Sequence, residues 1–343
     1  GLSDMRGADV RGGRGDAPLG NFAYLRGSDY KHPASNTTGR APAETKEGSM
    51  NPLRRILATT DLSAPARHAA ERAALVSQET AAQLDLLHVA NLAPLERLRQ
   101  LMGSSPSELE TRVLDAARHK LHDLAAAIQA RFGIAAGTRV VAGALLPELA
   151  QESDALAAGL LVCGAKGESV IRHFVLGTTA LRVLSTTRCP VLVVKQPPHE
   201  PYRRLLVPVD FSPSSLRAVR HARSIAPGAE IVLLHAFDVP FEGKLRYASV
   251  DDDVIHHYRI VAKQEAIQRL QALRDQAGLS ALGTRLLVLH GDPTFRIIEQ
   301  EQECDCDLIV VGKHGEGMLE ELLLGSVTKH VLAESQGDVL VSV

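Results

Sequence analysis

The sequence predicts an α/β protein with two tandem doubly wound domains, each a five-stranded parallel sheet of order 3-2-1-4-5 with helices on both faces. Apolar β-branched runs alternate with amphipathic stretches along the chain, as in proteins built from parallel strands and crossover helices. At 343 residues the chain is long enough for two cores of about 150 residues each. A glycine signature, Gly-x2-Gly-x9-Gly-Ser/Thr, also occurs twice, 148 positions apart.

The first repeat is predicted to contain five strands and four helices. Short apolar runs predict buried strands, and longer stretches with helical spacing predict helices. The predicted strands are 55–60, 84–89, 138–141, 160–163 and 190–194, and the predicted helices are 66–80, 107–132, 147–158 and 178–185. Ser63 is the predicted N-cap of the first helix, with Pro65 in its first turn.

The same order of elements starts again after a short proline-stiffened linker, Lys195 to Pro201. The predicted strands are 204–209, 231–235, 284–289, 308–311 and 339–343, and the predicted helices are 214–225, 251–277, one opened by Asp292-Pro293 and one beginning at Ser326. Units of this length are whole domains rather than solenoid repeats. We therefore expect domains at 50–197 and 198–343, preceded by a disordered leader at 1–49 that is an upstream extension or an artificial addition.

Composition argues against several classes of partner. A net charge of −2 gives no reason to expect a nucleic acid or an anionic membrane as a partner. No apolar run reaches the length of a membrane span, and we expect a cytoplasmic protein. Four cysteines do not form a disulfide framework in a chain of this size, and Cys304-Asp-Cys306 has no second pair at zinc spacing, so we predict no metal site.

Two features converge on one edge of each predicted sheet. Asp61 and Asp210 follow the first strand of each repeat, and the glycine signatures follow the fourth. In the order 3-2-1-4-5 these strands are neighbours and flank the switch in strand order, where open α/β sheets bind ligands. Glycine backbone and a helix start offer N–H groups to an anion such as phosphate. Lys166 and Lys313, within the signatures, either contact that anion or remain solvated.

The turns Thr60-Asp61-Leu62-Ser63 and Val209-Asp210-Phe211-Ser212, together with the doubled signature, resemble the universal stress protein family of the tandem-domain type over residues 52–343. The resemblance implies that the Asp helps hold the adenine end of ATP, accompanied by Mg²⁺, and that the glycine loop and the hydroxyl after it hold ribose and phosphates. The implied nucleotide-binding residues are Asp61, Gly164, Gly167, Gly177 and Thr178 in one site and Asp210, Gly312, Gly315, Gly325 and Ser326 in the other.

The acidic spacer of the second signature is open to two interpretations. Glu316, Glu320 and Glu321 are either surface charges or groups that help bind the metal ion of ATP.

No motif of a fast enzyme accompanies these residues. The chain has no Walker A sequence, no nucleophile elbow and no His-Glu-x-x-His, so we predict no catalytic residue. We expect a nucleotide-binding stress-response regulator or sensor that acts on an unknown protein partner through its conformation, with at most slow ATP hydrolysis or autophosphorylation. The alternatives are an interaction protein that binds no nucleotide and an ATP-cleaving enzyme of the wider adenine-nucleotide-binding superfamily.

The last strand of each repeat is an apolar edge that needs cover. The resemblance to the tandem-domain family implies that 191–194 pairs with 339–343 and joins the repeats as an intramolecular pseudo-dimer, or that two chains form a dimer.

Overall fold

Strands and helices alternate along the chain as the hydrophobic pattern predicts. The computed structural model describes residues 52–93, 106–165, 178–238, 251–314 and 324–343. The strands are β1 (Arg55–Thr59), β2 (Gln83–Ala90), β3 (Ala136–Ala142), β4 (Leu160–Gly164), β5 (Val191–Val194), β6 (Arg204–Pro208), β7 (Glu230–Phe237), β8 (Thr284–His290), β9 (Leu308–Gly312) and β10 (Asp338–Ser342). The helices are α1 (Ala64–Thr80), α2 (Pro106–Phe132), α3 (Leu145–Ala155), α4 (Thr178–Thr186), α5 (Pro213–Ile225), α6 (Asp252–Gln276), α7 (Pro293–Glu303) and α8 (Ser326–Glu334).

All of these elements belong to one structural unit, Ser49–Val343. The predicted leader, residues 1–49, lies outside the described residues.

The strands form one ten-stranded sheet in the order β3-β2-β1-β4-β5-β10-β9-β6-β7-β8. Each half has the predicted order 3-2-1-4-5, and all pairs within a half are parallel. The halves meet where β10 runs antiparallel to β5, with Leu340 opposite Leu192. The predicted pairing of the last strands is therefore confirmed, and it covers both apolar edges.

Helices cover the sheet on both faces because successive strand residues point to opposite sides. On β1, for example, Ile56 and Ala58 belong to one buried cluster and Leu57 belongs to the other. Helices α1, α2, α5 and α6 pack on the first face, and α3, α4, α7 and α8 pack on the second. The ends of the parallel strands are thus left as the accessible edges of the sheet.

The limits of most predicted helices agree with the structure to within two residues, and one helix differs by more. Helix α3 begins at Leu145 and ends at Ala155, rather than spanning 147–158. Pro147 fits within the first turn because the N–H groups there have no acceptor inside the helix. The helix stops early because Ala157 adopts a left-handed conformation with φ of 47°.

A buried polar cluster joins the linker to the second repeat. The carboxylate of Asp338 accepts hydrogen bonds from the Lys195 backbone N–H at 2.7 Å and from the Tyr202 hydroxyl at 2.6 Å. Arg72 of α1 pairs with the same carboxylate, its Nε 3.3 Å away, and its guanidinium lies 4.0 Å from the centre of the Tyr202 ring. Asp338, Tyr202 and Arg72 are all buried. The linker is therefore fixed against both repeats, and a domain boundary between 197 and 198 stays a prediction.

Candidate functional site

Both predicted site aspartates lie in the same kind of turn, called here the Asp turn (60–63 and 209–212). Oδ1 of Asp61 accepts a hydrogen bond from the Ser63 N–H, and Oδ1 of Asp210 accepts one from the Ser212 N–H, each at 3.0 Å. The residue between them is left-handed in both copies, with φ of 65° at Leu62 and 64° at Phe211. This conformation costs a side-chain-bearing residue about 1 kcal/mol, so the surrounding structure must impose it.

A capped helix follows each Asp turn. Oγ of Ser63 accepts a hydrogen bond from the Ala66 N–H at 3.3 Å, which confirms the predicted N-cap. Ser212 caps α5 in the same way, with the Ser215 N–H at 3.4 Å. A proline occupies the first turn of both helices. These features fix the point at which the chain leaves the sheet for the helix.

A histidine from the second strand of each repeat forms a hydrogen bond with the Asp turn. The sequence analysis did not predict this contact. Nδ1 of His88 lies 2.9 Å from the Thr60 carbonyl oxygen, and Nδ1 of His235 lies 2.8 Å from the Val209 carbonyl oxygen. Burial lowers the pKa of His235, and the charge of Arg269 adds to that effect. A signal existed, since both second strands carry the pair Leu-His at matching positions.

Asp210 has a further partner in its own helix. The Ser215 hydroxyl donates to Oδ1 of Asp210 at 2.6 Å and accepts from the Asp210 N–H at 3.0 Å. The corresponding residue of the first repeat is Ala66, which has no hydroxyl. Asp210 is half-buried, whereas Asp61 is exposed.

The second glycine signature closes around the end of β9. Gly312 ends that strand, and a Cβ there would lie 3.1 Å from Cβ of Ser214 and 3.2 Å from the His314 carbonyl oxygen. The close approach of the strand end to α5 thus depends on glycine. Gly325 is the N-cap of α8, and its N–H donates to the Lys313 carbonyl at 3.0 Å. Gly315 lies outside the described residues.

These residues surround a cavity of about 480 Å³ at the junction of β6 and β9. Asp210, Gly312, Gly325 and Ser326 all line it, together with His235. Its volume is typical of pockets that bind small molecules. Four of the five residues predicted for the second site therefore lie around one cavity at the switch in strand order.

Lys313 has a role that neither interpretation of the sequence anticipated. Its side chain is buried, so the solvated alternative is wrong, and Nζ donates to the Ser185 carbonyl oxygen at 3.3 Å. Ser185 lies in the last turn of α4, in the other repeat. A cation at a helix C-terminus interacts favourably with the helix dipole, so this contact links the second signature to the first repeat.

The predicted first site is described in part. Gly164 ends β4, which pairs with β1, and Asp61 follows β1, so these two residues lie at neighbouring strand ends. Thr178 opens α4, as predicted, and its side chain lies outside the described part of the chain, as do Gly167, Gly177 and Lys166. A separate cavity of about 850 Å³ lies between the ends of β2 and β3 and the start of α3, with Arg182 at its wall.

The described ranges also bear on three other features considered from the sequence: a metal site, a reactive cysteine and a membrane span. Within them, no group of three or more His, Cys, Asp or Glu side chains could hold a metal ion. Glu316, Glu320 and Glu321 lie outside those ranges. Burial raises the pKa of the Cys306 thiol to about 12, which disfavours the reactive thiolate at neutral pH. No helix in the described part of the chain is long and apolar enough to cross a membrane.

Comparison with known proteins identifies the family. The family model described as "Universal stress protein family" matches residues 52–195 and again 201–342. A universal stress protein from Methanocaldococcus jannaschii is 33% identical over 143 residues, which cover 41% of this chain and 81% of that protein. Another, from Mycobacterium tuberculosis, is 28% identical over 213 residues, which cover 59% of this chain and 64% of that protein.

A solved structure agrees with these sequence matches at the level of the fold. The crystal structure of a universal stress protein from Archaeoglobus fulgidus superposes with a TM-score of 0.56 at 21% identity, covering 84% of this chain and 97% of that one. The two matches of the family model together span more than half of the chain. The chain therefore belongs to the universal stress protein family and carries two tandem copies of its domain.

Proposed function

We propose that the second repeat binds an adenine nucleotide, ATP with Mg²⁺, in the cavity between β6 and β9, and that its occupancy changes the surface offered to a protein partner. In this proposal the protein is a cytoplasmic stress-response regulator. The observation that carries the proposal is the placement of Asp210, Gly312, Gly325 and Ser326 around one cavity. Gly315 completes the set by its position in the signature.

The start of α8 suits the phosphates. Hydrogen bonding along the helix begins with the Lys329 N–H donating to the Gly325 carbonyl. The N–H groups of the preceding first-turn residues therefore have no acceptor within the helix, and the helix dipole adds partial positive charge there. Ser326, the first residue of α8, is exposed and lines the cavity. Such a helix start is a suitable site for an anion.

Other residues that line the cavity suit the nucleoside. Among the described residues that line the cavity, Asp210 is the one carboxylate, and it would repel phosphate but accept hydrogen bonds from ribose hydroxyls or from an amino group. The apolar side chains of Leu234, Ile297 and Val311 also line the cavity and offer surfaces for a base. Since Asp210 would lie at the nucleoside end, we expect at most slow hydrolysis at the phosphates.

One relative has a nucleotide in its structure. A universal stress protein that is 28% identical over 42% of this chain was solved in complex with cAMP. The TM-score of that match is 0.30, so the likeness says nothing about where a ligand would lie in this chain.

We propose that the first repeat also binds a nucleotide, at a first site formed by Asp61, Gly164, Gly167, Gly177 and Thr178. Its occupancy is a separate question, because its Asp turn lacks the hydroxyl that Ser215 supplies in the second repeat.

The test is calorimetric titration of the full chain with Mg-ATP, alongside Asp210→Asn and the matched variant Asp61→Asn. Asparagine keeps the shape of the side chain but replaces one acceptor oxygen with a donor. If the second site binds nucleotide, Asp210→Asn raises its Kd by roughly tenfold or more, as expected for losing a charge-assisted hydrogen bond, and Asp61→Asn leaves it unchanged.

Three other results would overturn the proposal or its site assignment. No heat of binding at millimolar Mg-ATP would leave the interaction-protein alternative. Wild-type affinity in Asp210→Asn would place the ligand elsewhere. Rapid phosphate release with a co-substrate would favour an ATP-cleaving enzyme.

A further inference from the structure

We infer that His235 is a positioning residue for Asp210, and that His88 is its counterpart for Asp61. The inference rests on the proposed function, since it concerns how the nucleotide-facing carboxylate is held. Each histidine lies on the second strand of its repeat, and that strand pairs with the first strand, which leads into the Asp turn. The same arrangement is thus present twice, in two copies with different surrounding side chains.

The hydrogen bond defines the tautomer of the ring. A carbonyl oxygen can only accept, so Nδ1 of His235 must carry a proton to bond the Val209 carbonyl at 2.8 Å. The same holds for His88 and Thr60 at 2.9 Å. In the neutral ring, Nε2 is then the acceptor.

The residue immediately before each aspartate is held at both of its backbone groups. The histidine bonds its carbonyl oxygen, and a carbonyl of the second strand bonds its N–H. The Val209 N–H donates to the Leu234 carbonyl at 2.8 Å, and the Thr60 N–H donates to the Leu87 carbonyl at 2.9 Å. Strands β6 and β1 end one residue earlier, where the chain turns away from the sheet. The histidine supplies the donor that a strand neighbour would otherwise provide, so the aspartate begins from a fixed backbone position.

In the second repeat the ring also contacts the residue after the aspartate. The His235 and Phe211 ring centroids are 4.4 Å apart, and the Arg269 guanidinium lies 4.0 Å from the centre of the Phe211 ring. Phe211 is the left-handed residue of the turn, with φ of 64°. His235 therefore holds Asp210 from both neighbours, through a hydrogen bond on one side and a ring contact on the other. It also lines the cavity.

A structural role alone makes a different prediction. If the imidazole only satisfied a carbonyl of the fold, its loss would lower the free energy of unfolding but leave ligand affinity unchanged. If it positions Asp210, its loss also weakens nucleotide binding, and a side chain that restores the hydrogen bond restores that binding.

The experiment compares His235→Leu, His235→Asn and the matched first-repeat variant His88→Leu by calorimetry with Mg-ATP. Asparagine can place an amide donor where Nδ1 lies, whereas leucine cannot donate. We expect His235→Leu to raise the Kd of the second site about tenfold, as for one lost hydrogen bond, with His235→Asn within about twofold of wild type. His88→Leu should leave the second site unchanged. Equal Kd values for wild type and a folded His235→Leu would overturn the inference.

Nitrogen-15 NMR of the imidazoles in the unsubstituted protein supplies a test that needs no variant. A protonated Nδ1 on His235 is the expected result, and a proton on Nε2 alone would overturn the inference even if His235→Leu does not fold. If the wild-type protein binds no Mg-ATP, the proposed function fails, and the NMR result still decides whether the hydrogen bond exists.

Discussion

The two repeats build the same Asp turn with different side chains around it. The backbone is nearly identical, with left-handed residues at φ of 65° and 64° and the same 3.0 Å bond from N–H to carboxylate. The aspartate itself differs, because Ser215 bonds Asp210 whereas Ala66 occupies the matching position beside Asp61. The comparison teaches that the sheet and the helix cap set the turn, while Ser215, outside the turn, adds a side-chain hydrogen bond to the carboxylate of the second copy.

The repeats also differ at the junction between them. Asp338 opens β10, whereas the matching residue before β5 is Pro190. Lys313 reaches Ser185 in the first repeat, and its own counterpart is Ala165. At these two positions it is the second copy that supplies the polar group across the junction. The second copy also contains the cavity lined by signature residues.

The largest effect on stability is expected from Asp338→Ala, which removes the carboxylate that the second repeat contributes to the buried cluster at the junction. Removing this carboxylate leaves Arg72 and Tyr202 buried without their partner, and loss of one member of a buried ion pair costs about 3 to 5 kcal/mol. The free energy of unfolding, measured with guanidinium chloride, should fall by that amount.

A surface aspartate provides the control for that measurement. Asp275 pairs with Arg274, but its side chain is 66% exposed, so Asp275→Ala should change stability by less than about 1 kcal/mol. Similar losses in the two variants would show that the buried cluster adds little to the junction.

An intermediate effect is expected from Ser215→Ala, which places in the second repeat the alanine that the first repeat has at the matching position, Ala66. Asp210 loses a 2.6 Å hydrogen bond, and its carboxylate becomes less well oriented, so the Kd for Mg-ATP should rise about three- to tenfold. Calorimetry on the variant measures this change.

The reciprocal variant Ala66→Ser and a distant control sharpen the same comparison. Ala66→Ser should lower the Kd of the first site, where that site binds nucleotide, without altering the second. Ser224→Ala removes a hydroxyl near the other end of α5, bonded to the His221 carbonyl, and should leave binding unchanged. An unaltered Kd in Ser215→Ala would mean that the hydroxyl does not orient Asp210 for the ligand.

The sequence predicted what depends on local pattern. Hydrophobic periodicity sufficed for the strands and helices of each half, and Ser63 with its following proline sufficed for the start of α1. The pairing of β5 with β10 was predicted from the family resemblance together with the apolar character of these two edge strands. The strands, the helices and the helix cap follow from residues close together in the chain.

Contacts between single polar side chains were not predictable in the same way. The bond from His235 spans 26 positions, and the one from Lys313 spans 128. Such pairs leave no periodic trace, because each side chain meets its partner only after the sheet has formed. Lys313 shows the consequence, since a lysine in a glycine-rich loop pointed to phosphate or solvent but is buried against the opposite repeat.

The smallest effect is expected in the pH dependence of stability, and it concerns two histidines of the second repeat. Burial lowers the pKa of both His221 and His235 below the ordinary value of 6.5, with the charges of Arg217 and Arg269 adding to it. As the pH falls below about 6.5, the unfolded chain takes up protons at these two histidines that the folded chain does not. The contribution of the two neutral imidazoles to the free energy of unfolding is therefore full above that pH and declines below it.

Replacing both histidines with asparagine keeps a hydrogen-bonding group toward the Ser342 hydroxyl and a donor toward the Val209 carbonyl but removes the titration. The free energy of unfolding between pH 5 and 7 should therefore vary less in the double variant than in wild type, as measured by denaturant titration at several pH values. Equal slopes would mean that neither imidazole is held neutral by the fold. At pH 7 the imidazoles of His221 and His235 are mostly neutral in both the folded and the unfolded wild-type chain, so a large difference there would instead reflect lost packing around Phe211.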